Sequence, residues 1–77
     1  MRSERAQWRK RAGLTQHRLA KKIGTYPALL SFWENGQTEL PPEIVARIAA
    51  VITEELARMP LSPTAADVTR ALVEASN

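Results

Sequence analysis

The sequence predicts an all-α domain of five short helices. Apolar residues recur three and four positions apart, as they do along one face of a helix. No stretch alternates apolar and polar residues over the length of a strand between turn signals. Glycine and proline break the chain at Gly13, Gly24, Gly36, Pro41, Pro60 and Pro63, leaving segments of helix length.

The first helix is expected from about Ser3 to Ala12, with Ser3 as its N-cap and Trp8 and Ala12 as a thin apolar face. Gly13 ends it, because glycine tolerates the left-handed conformation that closes a helix. The second runs from about Gln16 to Ile23. Thr15 caps it, Leu19, Ala20 and Ile23 share one face, and Lys21 and Lys22 sit in the last turn where cations favour the dipole. The third runs from about Pro27 to Asn35. Proline suits the first helical position, and it pushes Tyr26 into the extended conformation of a capping residue. Leu30 and Trp33 point inward, and Asn35-Gly36 is a stop. The fourth starts near Pro42 and keeps an apolar stripe of Ile44, Ile48, Val51, Ile52, Leu56 and Met59, whether continuous or bent near Thr53. The fifth runs from about Thr64 to Ala75, with Ser62 as N-cap, Pro63 in first position and Ala65, Val68, Leu72 and Ala75 as its stripe.

A chain of 77 residues is a single domain, 1–77, and at this size self-association commonly adds stability. There is no cysteine and only one histidine, His17. Disulfides and thiolate metal sites are therefore excluded, and a histidine-built site is not expected. No apolar run is long enough to cross a membrane and no leader pattern is visible. No paired carboxylates, nucleophile–base pair or glycine-rich phosphate loop is present, so neither catalysis nor a cofactor, metal or small-molecule ligand is expected.

The net charge of +3 hides an asymmetry. Residues 1–22 hold Arg2, Arg5, Arg9, Lys10, Arg11, Arg18, Lys21 and Lys22 against Glu4 alone, a net of +7; residues 23–77 sum to −4. Such a split suggests a polyanion for the first part, the competing reading being a solvated basic face. A membrane surface fits less well, since no strong apolar face accompanies the basic segment.

One segment, about 16–35, has a definite internal geometry. With Gln16 as its first position, small Ala20 is fifth, Gly24 ninth, and Leu19, Ile23, Leu30 and Trp33 fall at the fourth, eighth, fifteenth and eighteenth. Two helices that cross steeply need a small residue at their contact, hence Ala20. The three-residue turn between them needs a positive φ, hence Gly24. The apolar four seat both helices on the core. Together with Trp8-Arg9, Gly13-Leu14-Thr15-Gln16, Leu30-Ser31, Trp33-Glu34-Asn35-Gly36 and, more loosely, Ile48-Ala49, this resembles the helix-turn-helix family of Cro and lambda-type (XRE-like) repressors. That family includes controller proteins of restriction–modification systems and small regulators of phages and mobile elements. The resemblance covers roughly residues 5–52.

The resemblance implies a five-helix, lambda-repressor-like DNA-binding domain whose third helix enters the major groove. Tyr26, Pro27, Ala28, Ser31 and Phe32 would face the bases. Gln16 would meet a phosphate, aided by the helix N-terminus. Asn35, Gln37 and Thr38 would hold the opposite phosphate edge, and Arg9 would pair with Glu34. Of the cations, Arg11, Arg18 and Lys22 are the expected phosphate contacts, while Lys10, Lys21 and His17 are more simply solvated.

Two departures from the family pattern stand out. Arg5 occupies a position where a large aliphatic is expected, which predicts loose packing of the first helix. The five groove-facing positions include no Arg, Lys, Gln or Asn, the side chains that make bidentate base contacts. Phe32 could instead pack in the core or against a partner chain, and Tyr26 could be a simple cap.

The C-terminal part, 51–77, offers Val51, Leu56, Met59, Leu61, Val68, Leu72 and Val73 for a homodimer interface, unless they only close the monomer core. The expected function is a cytoplasmic, nucleoid-associated bacterial or phage regulator. It would be a dimeric repressor or controller-type autoregulator on a pseudo-palindromic double-stranded operator, with RNA polymerase as a further partner if it activates. The alternatives are a protein-interaction module or anti-activator presenting Tyr26, Leu29 and Phe32, and a DNA-bending accessory factor for recombination.

Overall fold

A computed structural model describes residues 3–60 and 62–75. It holds helices α1 (Glu4–Arg11), α2 (Gln16–Ile23), α3 (Pro27–Glu34), α4 (Pro42–Leu56) and α5 (Ala65–Glu74), with no strand among the described residues. α4 is the central element. α5 and α2 pack on it, α2 packs on α3, and α1 touches α3, α4 and α5. One core joins them, in which Leu19, Leu30, Trp33, Ile48, Ile52, Val68 and Leu72 are fully enclosed.

Local chemistry sets most boundaries. The Ser3 and Thr15 hydroxyls accept from the Ala6 and Arg18 N–H groups at 3.1 and 3.0 Å, satisfying orphan donors of α1 and α2. Gly24 ends α2 at φ +80°, and both its N–H and that of Thr25 donate to the Ala20 carbonyl. A side chain added at Gly24 would meet nothing within 4 Å. Glycine is required there by its backbone angle, not by crowding.

Two helix ends differ from expectation. α4 is continuous through Thr53 but stops at Leu56, three residues before Met59. Beyond Leu56 the next three side chains are all exposed, so nothing apolar anchors a further turn. α5 is capped by Thr64, not Ser62. The Thr64 hydroxyl accepts from the Asp67 N–H at 3.1 Å, and the Asp67 carboxylate accepts from the Thr64 N–H at 3.5 Å. This reciprocal pair satisfies two donors where Ser62 would satisfy one. The α5 stripe is accordingly Val68 and Leu72, with Ala65 exposed. On α4 the buried set includes Val45 and Ala49, while Ile44 and Val51 are half-buried.

Arg5 does not loosen α1. It is 3 % exposed, and its Nε and Nη1 donate to the carbonyls of Leu72 (2.9 Å) and Trp33 (2.8 Å). Its guanidinium carbon lies 4.5 Å from the Trp33 ring centroid. A buried cation is costly unless its donors are satisfied. Here two carbonyls at the negative ends of α3 and α5 each accept one of its hydrogens, and an aromatic face covers the cation, which offsets part of that cost.

Candidate nucleic-acid interface

The pair α2–α3 is joined by Gly24-Thr25-Tyr26 and held by Ala20, which is fully buried. Leu19, Ile23, Leu30 and Trp33 are buried beneath it. The outer face of α3 is left open. Tyr26 is 58 % and Phe32 50 % exposed, Ala28 is exposed, and Pro27 and Ser31 are half-buried. Tyr26 occupies the N-cap position, but its side chain makes no capping bond. Phe32 does not enter the core. α3 carries one charged residue, Glu34, and that is buried, so the exposed face of the helix is uncharged.

Glu34 closes a polar knot under this surface. It accepts from Arg9 Nε at 2.7 Å, from Arg9 Nη2 at 3.2 Å and from Gln16 Nε2 at 3.0 Å. Arg9 Nη1 donates to the Leu14 carbonyl at 2.9 Å. The fork geometry of a bidentate arginine–carboxylate pair fixes orientation as well as charge. It ties α1 to the end of α3, and through Gln16 to the start of α2. Gln16 therefore keeps one amide hydrogen and its backbone N–H for an outside acceptor.

The exposed cations are fewer than the count in residues 1–22. Arg5 and Arg9 are internal, and Arg2 lies outside the described residues. Lys10 and Arg11 on α1, and Arg18, Lys21 and Lys22 on α2, are exposed. On α2 the three cations and His17 occupy the face opposite Leu19, Ala20 and Ile23, as their helical spacing requires. Arg11 lies over the Trp8 ring, 4.6 Å from its centroid. Beyond α3, the N–H groups of Gly36 and Gln37 bond back to Trp33 and Phe32 at 3.0 and 2.8 Å, which sets the loop. Asn35 and Gln37 on it are exposed and Thr38 is half-buried.

Two contacts escaped sequence reasoning. Ser3, besides capping α1, donates its hydroxyl to the Glu34 carbonyl, and Arg5 takes the adjacent Trp33 carbonyl. The acceptors are backbone atoms, which leave no signature in residue type.

Two short helices at a tight glycine turn, with a solvent-facing second helix braced by a buried Arg–Glu pair, define a helix-turn-helix domain. The helix-turn-helix family profile matches residues 6–59. The chain belongs to this family, of the XRE or lambda-repressor type, whose members are DNA-binding transcription regulators. No curated protein and no solved structure gives a significant match. Among the described residues, no helix is long and apolar enough to cross a membrane.

Proposed function

We propose that this protein is a sequence-specific, homodimeric transcriptional regulator that seats α3 in the major groove of a pseudo-palindromic operator, one near its own promoter included. The main support is the contrast between an uncharged, exposed α3 face and the exposed cations on α1 and α2, the helices that pack against it. In this reading Arg11, Arg18 and Lys22, with Gln16, Asn35, Gln37 and Thr38, hold phosphates. Tyr26, Pro27, Ala28, Ser31 and Phe32 meet the bases. Pro27, Ala28 and Phe32 can offer only apolar contact, such as to thymine methyls, so sequence-dependent DNA shape carries much of the remaining discrimination.

Each copy carries a single helix-turn-helix, α2–α3. Dimeric helix-turn-helix proteins read half-sites about 34 Å apart, so one copy serves one half-site. Control would then follow from protein concentration, through dimerisation and operator occupancy, in a bacterial or phage cytoplasm.

A gel-shift against the DNA upstream of its own gene tests the proposal. A discrete shift that survives excess competitor DNA is expected. Replacing operator thymines by uracil should weaken it, and unchanged affinity would remove the methyl contacts from the mechanism. Absence of a shift even at low salt would favour the protein-interaction module, with exposed Tyr26 and Phe32 as its surface.

A further inference from the structure

We propose that Arg5 is a positioning residue that couples the C-terminal helix to the DNA-facing helix, so that the seating of α5 sets the end of α3 and the loop 35–38. The functional half of this rests on the reading that α3 and that loop face DNA. The mechanical half rests on geometry alone. Arg5 is buried, and no carboxylate lies within ion-pairing distance of it among the described residues. Its guanidinium reaches the Leu72 carbonyl in the last turn of α5 at 2.9 Å and the Trp33 carbonyl in the last turn of α3 at 2.8 Å.

An aliphatic side chain at this position would fill the space and leave both carbonyls without this donor. Arginine instead joins two helix ends that are 39 residues apart in sequence (Trp33 and Leu72) through one rigid planar group. Ser3 holds the next carbonyl, that of Glu34. The N-cap and first turn of α1 thus grip the last two carbonyls of α3, directly before the loop 35–38. If α5 loosens, Arg5 loses one acceptor and its desolvation is less well offset. The group must then shift, and the Trp33 carbonyl with it.

The test is a double-mutant cycle read by amide hydrogen exchange in the free protein. Thr64→Ala together with Ala66→Gly loosens α5 at exposed positions far from Arg5. In the wild-type background this should speed exchange at Gly36 and Gln37, whose N–H groups bond to the end of α3, by about threefold or more. In the Arg5→Met background the same α5 changes should leave Gly36 and Gln37 unmoved. Arg5→Lys, which keeps the charge but not the fork, serves if Arg5→Met does not fold, and should reduce the coupling. Equal effects in both backgrounds, or none in the wild type, overturn the coupling. DNA affinity in the same four proteins should show the same non-additivity. Exchange coupling without any DNA effect would uphold the mechanical link and overturn the placement of α3 on DNA.

Discussion

Arg9 and Glu34 stand 25 positions apart in the chain and meet at 2.7 Å, with side chains 9 % and 3 % exposed. A buried pair of this kind contributes little relative to apolar replacements, but breaking it strands a charge. Arg9→Met or Glu34→Leu alone should therefore cost about 3 to 5 kcal/mol. The double variant should recover a substantial part of that loss. Urea denaturation of the three proteins measures it, and additive losses would show that the pair acts as two independent groups.

The turn glycine gives a second expectation. Gly24 adopts φ +80° with open space around it. Gly24→Ala should cost about 1 to 2 kcal/mol through the backbone alone. Gly24→Asn should cost less, because Asn tolerates the left-handed region. Equal losses for Ala and Asn in thermal denaturation would mean that some contact, not the φ angle, selects glycine.

The cap of α5 separates two adjacent candidates. Thr64→Ala should destabilise the protein by about 1 kcal/mol. Ser62→Ala should stay within about 0.5 kcal/mol, as for most surface changes. The opposite order would move the start of the helix back by two residues.

The apolar surface left over for a homodimer is narrower than the sequence suggests. Leu56, Val68 and Leu72 are consumed by the monomer core, Val51 is half-buried, and Leu61 lies outside the described residues. Met59 at 52 % and Val73 at 57 % exposure remain. If the homodimer forms through them, Val73→Lys should weaken self-association about tenfold or more, as charging an apolar contact does. Monomer stability should barely change. Sedimentation equilibrium reads the first and thermal denaturation the second, and an unchanged dimer constant would place the interface elsewhere.

Phosphate contacts leave a salt signature. Lys22 is exposed on α2. Lys22→Ala should weaken DNA binding evenly across sequences and flatten the slope of log affinity against log salt by about one unit. An altered base preference would instead put Lys22 at a base edge.

The frame of the fold was legible because its determinants are local. Gly13, Gly24, Gly36 and the prolines punctuate the chain, and the spacing of Leu19, Ala20, Ile23, Leu30 and Trp33 fixes how two helices cross. Arg5 was not legible, since its acceptors are main-chain carbonyls 28 and 67 residues away. Nothing in a residue type announces them. Charge counting overstated the outward basicity for a related reason: two of its arginines, Arg5 and Arg9, face inward. The Thr64–Asp67 pair was readable as a capping box, but Ser62-Pro63 offered an equally local start two residues earlier. Which surface residues of α3 touch a partner depends on that partner, so the exposure of Tyr26 and Phe32 defines the surface and not its reader.

The uncharged face of α3 has a kinetic corollary. In the proposed reading, a domain travelling along DNA would be held mainly through the exposed cations of α1 and α2, which meet phosphates alike at every position. α3 would add affinity only where shape and methyl groups fit its uncharged surface. Diffusion along the duplex would then be smooth, and salt would tune the length of each scan without altering which site ends it. Variation at 26–28 and 31–32 could redirect the destination while leaving the search unchanged.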